Sequence, residues 1–316
     1  MANTIVNAEM WAKMLLIEAE ENLSLKKYEG AEGTRNLVVR YDDLTKAAGD
    51  KINISIVKKL IGSGVTGNTT LEGNEEDINE LSFGLSIDYI RHAVKFTKKE
   101  QQKTPYQLQT TGKNQLATWL SEKMERMAFE AVSTGNDTVI YPGTAASDDD
   151  LTSADVMSTA VISRAKAKLK SSKQCYPVKV NGKDYYVMFI NPFQAFNLKQ
   201  DAAWQNAQRE AGVRGLDNPI FTGALGIWDN VIIEESNLLV TGTNTNNVDY
   251  ARALICGANA IARGYGQLPT FNVQKKDYGF VTGVATDTNY GVAPVRFNSE
   301  DHAIVAVDTA AEDPNA

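Results

Sequence analysis

Two cysteines and two histidines are all the thiols and imidazoles that this chain of 316 residues offers. Cys175 and Cys256 stand apart with no C-x-x-C spacing, so they read as buried or incidental thiols rather than as a disulfide or a zinc site. His92 and His302 have no second histidine or cysteine near them, which leaves no metal-ligand spacing. Structural or surface histidines are expected there rather than a general base. No apolar run approaches the roughly 18–20 residues that cross a bilayer. The first residues, Met1-Ala2-Asn3-Thr4-Ile5-Val6-Asn7, lack the basic stretch that opens a signal peptide. Cytoplasmic synthesis and no membrane partner are therefore expected. Positive charge is also short: a net charge of −7 argues against a general surface for gripping nucleic acid. These absences together predict no catalytic residues, no metal and no cofactor.

What is present is a pair of strands held apart. Lys51-Ile52-Asn53-Ile54-Ser55-Ile56 and Ser82-Phe83-Gly84-Leu85-Ser86-Ile87-Asp88-Tyr89 both alternate polar and apolar residues, the pattern of strands with one buried and one wet face. Residues 58–81 separate them, well past the roughly 12–15 residues that a compact domain tolerates in a loop without a job. This arm carries Gly62, Gly64, Gly67 and Gly73 and the acids Glu72, Glu75, Glu76, Asp77 and Glu80. An arm this polar cannot fold back as core, and another subunit is the surface it is expected to lie on. Just beyond it Arg91, Lys95, Lys98, Lys99 and Lys103 are opposed only by Glu100. Acid arm and basic stretch are complementary, as a docking code between subunits would be. Two solvated charge runs explain the same residues.

The arm also contains Gly62-Ser63-Gly64-Val65-Thr66-Gly67, which matches G-x-G-x-x-G, with Asp88 downstream. The dinucleotide fingerprint requires a helix to start at the third glycine, so that its N–H groups meet the pyrophosphate. Asn68-Thr69-Thr70-Leu71-Glu72-Gly73 has no helical apolar stripe, and the nearby carboxylates repel phosphate. A flexible loop is the better reading.

Elsewhere the pattern is ordinary packing. Residues 8–27 predict an amphipathic helix with Met10, Met14 and Ile17 on one face and Trp11 beside them. Residues 114–132 give the strongest helix, with Leu116, Leu120, Met124 and Met127 in its stripe and Gly135 as a stop. Asp148-Asp149-Asp150 lacks the spacing of a calcium loop. It is expected to lead into a helix capped by Thr152 and Asp155, with lysines at its far end. Tyr185-Tyr186-Val187-Met188-Phe189-Ile190 predicts a buried strand, followed by a helix opened by Asn191-Pro192. Asp229-Asn230 predicts a tight turn. Strand or helix is open over 253–262, closing strands are expected after Tyr278, and the tail from Ala310 is expected to fray.

The run Asn218-Pro219-Ile220-Phe221-Thr222-Gly223-Ala224-Leu225-Gly226-Ile227-Trp228-Asp229-Asn230-Val231-Ile232-Ile233, followed by Ala253-Leu254-Ile255-Cys256-Gly257-Ala258-Asn259-Ala260, resembles the major capsid proteins of tailed bacteriophages. The order of elements over nearly the whole chain is similar too, most of all to the branch of coliphage N-four-like viruses. Asn230 stands where that family commonly has glycine, and asparagine accepts the same backbone. The resemblance implies an α+β Hong Kong 97-type fold. Residues 1–50 would form an N-terminal arm anchored at Trp11, and 51–103 an extended loop overlying a neighbouring subunit. Residues 104–175 would be a peripheral domain with a spine helix, 176–265 an axial domain, and 266–316 a return to the peripheral domain with a tail. It further implies a non-enzymatic subunit that assembles through hexamers and pentamers into an icosahedral virion head around double-stranded DNA. Such a subunit is made in the host bacterial cytoplasm and meets portal, scaffolding and decoration proteins. The rival readings are an encapsulin-like bacterial compartment of the same fold and a soluble nucleotide-binding enzyme using residues 62–67.

Overall fold

The computed structural model describes residues 24–31, 33–41, 51–57, 64–78, 80–173, 175–180, 182–212 and 225–313. The strands in chain order are β1 (Glu29–Gly30), β2 (Val38–Tyr41), β3 (Lys51–Val57), β4 (Glu80–Ser86), β5 (Asp88–Thr97), β6 (Val139–Ile140), β7 (Val178–Val180), β8 (Lys183–Ile190) and β9 (Gly226–Trp228). They continue with β10 (Val231–Glu235), β11 (Thr241–Thr243), β12 (Asp249–Cys256), β13 (Ile261–Lys276), β14 (Val281–Pro294), β15 (Arg296–Phe297), β16 (Glu300–Asp301) and β17 (Ile304–Ala310). The helices are α1 (Lys98–Lys103), α2 (Leu108–Ser133), α3 (Thr159–Ser171), α4 (Pro192–Gln200) and α5 (Ala202–Gly212).

Two sheets carry two cores. A five-stranded sheet runs β1-β2-β13-β14-β5, and an eight-stranded sheet runs β6-β17-β12-β8-β10-β9 with β7 and β11 at its margins. In the second sheet β8 pairs parallel with β10 and antiparallel with β12. Coverage on both faces explains the unbroken apolar run from Tyr186 to Ile190, every residue of which is buried. Helix α3 packs on this sheet through Val161, Ile162, Ala165 and Leu169.

Helix α2 joins the cores. Its 26 residues span about 39 Å at about 1.5 Å each. Leu116, Leu120 and Met124 face the five-stranded sheet with Ile90, Tyr265, Val284 and Tyr290. Ala128, Phe129 and Val132, further along, belong to the core of the eight-stranded sheet. The helix begins six residues before position 114, through Thr110, Thr111 and Gly112, which are poor helix formers. Packing overrides propensity here: a Cβ on Gly112 would meet Val284 Cγ2 at 3.1 Å, so glycine lets the helix press against β14.

Several sequence expectations change. The helix expected after Thr152 starts at Thr159, and Asp148–Asp150 is a separate 3-10 turn. Thr152 and Asp155 make the predicted capping bonds (Thr152 N–H and O–H to Asp155 Oδ2, 3.0 and 2.8 Å), but they close a turn. The helix is capped from a distance by Asp201, which accepts from Thr159 N–H at 2.8 Å and from its hydroxyl at 2.7 Å. The alternating run 82–89 is broken at Ile87, and β5 joins the five-stranded sheet instead of the arm. The segment 253–262 divides into the end of β12, a turn, and the start of β13. Ala310 and Ala311, expected to fray, are 1% and 6% exposed. Asp229 and Asn230 form the tight turn, with φ of +46° and +58°.

The sheets also cut across the sequence boundaries. Val38–Tyr41, from the 1–50 segment, lies inside the five-stranded sheet between β1 and β13. The strand Ile304–Ala310, from the 266–316 segment, lies in the eight-stranded sheet between β12 and the strand 139–140. Of the helix expected over 8–27, the described part is a 3-10 turn at Ser24–Tyr28, and Trp11 lies outside the described residues.

Candidate assembly interface

The arm has a buried root. In the β3–β4 hairpin Ile52 pairs with Leu85 and Ile54 with Phe83. Ile52, Ile54 and Leu85 are 5%, 5% and 0% exposed, and they pack on Ala262, Val295 and Phe297 of the same chain. The alternation read from the sequence thus marks a hairpin whose apolar face is held by its own subunit, and only the tip projects.

Residues 64–78 form that tip, and almost every one is exposed. Gly64, Gly67 and Gly73 have φ of +68°, +71° and +85°, and nothing lies within 4 Å of where a Cβ would stand. Their role is backbone freedom. The tip's hydrogen bonds are local: Gly73 N–H donates to Glu75 Oε2 at 2.6 Å, and Asn74 closes a turn onto Leu71 and Thr70. Glu72, Glu75, Glu76 and Asp77 face solvent. Leu71 and Ile78, 63% and 75% exposed, bracket them. The sequence reading passed over both, although a large apolar residue on each side of an acid cluster is the available signal. Gly62 lies outside the described residues, and Glu80 opens β4 opposite Val57.

The basic residues do share a region. β5 is an edge strand whose even positions, Ile90, His92 and Val94, face α2. Arg91 and Lys95 point the other way and are exposed. Lys98 and Lys99 occupy the first turn of α1, where the helix dipole is already positive. Glu100 answers them as the capping residue, and the Thr97 N–H bond holds its carboxyl below the usual range. Arg91 and Tyr89 line an open depression of about 570 Å³ with Asp88, Ala285, Thr286 and Asp287. Asp287 sits opposite Arg91 in the sheet, but its carboxylate is taken by Thr270, Asn272 and Gln267. Among the described residues no ion pair joins the acids of the tip to Arg91, Lys95, Lys98 or Lys99.

The residues set aside by the sequence reading have structural settings. His92 stacks on Trp119 at 4.5 Å. His302 is half-buried, edge-on to Phe297. Cys175 and Cys256 are buried free thiols, and burial pushes Cys175 up to about 12. Among the described residues no group of three His, Cys, Asp or Glu converges as a metal site. No helix there is long and apolar enough to cross a membrane. The described part of the G-x-G-x-x-G run, 64–67, leads into turns and not into a helix.

The chain matches the family model for phage capsid protein over residues 2–139 and 128–313. It is 25% identical to the major capsid protein of Pseudomonas phage KPP25 over 83% of this chain and 84% of that one. Among solved structures it is similar to the capsid of Ralstonia phage GP4, with a TM-score of 0.82 and 27% identity over 92% of this chain and 91% of the other. The capsid of cyanophage Pam1 superposes with a TM-score of 0.76 at 23% identity, over 92% and 93% of the two chains. These likenesses give the α+β Hong Kong 97-type capsid fold. The chain belongs to the phage capsid proteins, the major subunits from which the shell of a bacteriophage head is built.

Proposed function

We propose that the projecting arm is what makes this shell subunit self-assembling: its acidic tip seats on the basic face of β5 and α1 of the next copy. The supporting observation is that Leu71, Glu72, Glu75, Glu76, Asp77 and Ile78 are presented to solvent by a hairpin whose root is fixed on its own subunit. Root and basic face lie side by side, since only Ile87 separates β4 from β5. Seven residues of strand carry the tip roughly 23 Å away from that point. A tip so placed reaches Arg91, Lys95, Lys98 and Lys99 of another copy and not its own. Such a contact joins two different patches, so it is head-to-tail, the kind that builds rings when the rotation between copies closes. Hexamers and pentamers of an icosahedral head are the rings proposed here. Many weak copies of one contact then sum to a stable lattice.

In this reading the subunit is not an enzyme and holds no cofactor. It encloses double-stranded DNA without sequence-specific grip and also meets portal, scaffolding and decoration proteins. The five-stranded sheet with α2 would be the peripheral domain, and the eight-stranded sheet the axial domain. Deletion of residues 62–78 tests the arm. Loss of closed shells from a soluble, folded subunit is expected in negative-stain images, and parent-like yield and heat stability of shells would sink the proposal. Nuclease-protected DNA inside particles from infected cells separates a virion shell from a protein-cargo compartment.

A further inference from the structure

We propose that a glycine seat formed by Gly264, Gly266 and Gly291 fixes the direction of the arm, so that these three positions aim its tip at the next copy. The inference rests on the reading that the arm acts in trans. Gly264 and Gly291 lie opposite one another in β13 and β14. Their neighbours Tyr265 and Tyr290, also opposite one another, turn to the other face, with ring centroids 5.2 Å apart in the core against α2. The glycine face receives the arm.

A Cβ on Gly264 would stand 2.4 Å from Ile52 Cδ1 and 3.1 Å from Leu85 Cδ2. On Gly266 it would stand 2.6 Å from Ile87 Cδ1, and on Gly291 only 2.2 Å from the Ser86 carbonyl oxygen. None of the three has the positive φ that requires glycine, so backbone conformation does not explain them. Proximity does. Ala262 and Ala293, a facing pair, continue the strip, so the surface under the root rises no higher than a methyl group. Ile87, the single residue between arm and sheet, presses on both Gly266 and Gly291. The chain therefore changes direction on the seat itself. Face-to-face sheets ordinarily sit about 10 Å apart, and here the root lies at backbone distance, one sheet layer from the spine helix.

The consequence is mechanical. Restoring a Cβ at Gly291 requires the Ser86 carbonyl to retreat by about 1 Å, and a strand of roughly 23 Å amplifies that to several ångström at the tip. Ion pairs need their atoms within about 4 Å, so a tip displaced by that much misses its partner.

The test is Gly291→Ala in the full chain, expressed beside the parent under conditions that yield shells. The subunit should remain soluble with a parent-like circular dichroism spectrum, while closed shells fall by roughly tenfold or change diameter, because each lattice contact is repeated many times. Shells of parent diameter and yield would overturn the proposal. If Gly291→Ala does not fold, Gly264→Ala decides, because the one atom there closer than 3.0 Å is the Cδ1 of Ile52, which valine lacks, while Leu85 Cδ2 and the Tyr41 carbonyl, at 3.1 and 3.2 Å, need give only a few tenths of an ångström. Gly264→Ala alone should lose shells and Gly264→Ala with Ile52→Val should regain them; absence of rescue counts against the seat. Deletion of 62–78 separates the two ideas. Shells indifferent to the deletion defeat the arm and the seat together, whereas shells lost on deletion but unaltered in Gly291→Ala defeat the seat alone.

Discussion

Arg252 holds the most buried charge of the eight-stranded sheet. Its Nε and Nη2 donate to the two oxygens of Asp308 at 2.8 and 2.6 Å, and its Nη1 donates to the Ser133 carbonyl in the last turn of α2 at 3.1 Å. Asp308 has no exposed side-chain surface, and burial raises its carboxyl above the ordinary range although Arg252 pulls the other way. Removing the guanidinium leaves a buried carboxylate alone, which typically costs about 3–5 kcal/mol. Arg252→Ala should therefore lower the denaturant midpoint of the unassembled subunit sharply, and adding Asp308→Asn should recover part of the loss. Equal midpoints for the single and double variants would refute this.

His302 gives a pH dependence. Burial first, and then the charge of Lys173, hold its pKa below 6.5. Below that value the unfolded chain binds a proton that the folded chain refuses. Stability is thus fully present above about 6.5 and declines as pH falls towards the folded value. Between pH 7 and pH 5 the parent should lose more stability than His302→Gln. An identical decline in both, measured by urea unfolding, would contradict it. Neither pair was legible in the sequence, because Arg252 and Asp308 meet only through the register of β12 and β17.

At the level of elements, legibility followed the strength of the pattern. The apolar stripe of 114–132 marked α2, and Asn191-Pro192 marked the start of α4, where the side chain of Asn191 accepts from Phe193 N–H at 3.0 Å. The first turns of α2 were hidden because Gly112 serves the packing on Val284, which propensity cannot register. Of the long β13–β14 hairpin, the sequence pattern marked strands after Tyr278 but not β13. The hairpin's strands hold Gly264, Gly266, Pro269, Gly283 and Gly291, residues that read as breakers. Two irregularities in register, between Tyr265 and Gln267 and between Gln267 and Thr270, absorb the disruption. The recoverable signal was a period of two among small residues, Ala262-x-Gly264-x-Gly266 and Gly291-x-Ala293, the mark of a strand face pressed by another backbone. The N-terminal cap of α3 was unreadable for a different reason: it comes from Asp201, far along the chain. Burial pulls the carboxyl of Asp201 up, but the bonds from Thr159 and from Ala203 N–H outweigh it and hold it low.

For the whole molecule, the informative contrast is between an arm buried at its root and exposed at its tip. The sequence carried the arm's existence, its acids and the basic stretch beyond it. It could not show that Ile52, Ile54 and Leu85 would be buried at home, because the surface that buries them is assembled from Ala262, Val295 and Phe297, far along the chain. Nor could it show that Ile87 would separate arm from sheet and set Arg91 and Lys95 on an edge strand. In the proposed reading, a subunit built in this way recognises a copy of itself through its separate acidic and basic patches. The most direct measurement is a cryo-EM map of assembled shells in which the arm can be traced. The account predicts residues 64–78 of each subunit lying over β5 and α1 of a different copy, with Glu72, Glu75, Glu76 and Asp77 facing that copy's Arg91, Lys95, Lys98 and Lys99. A tip lying on its own subunit, or standing free in solvent between capsomers, would contradict it.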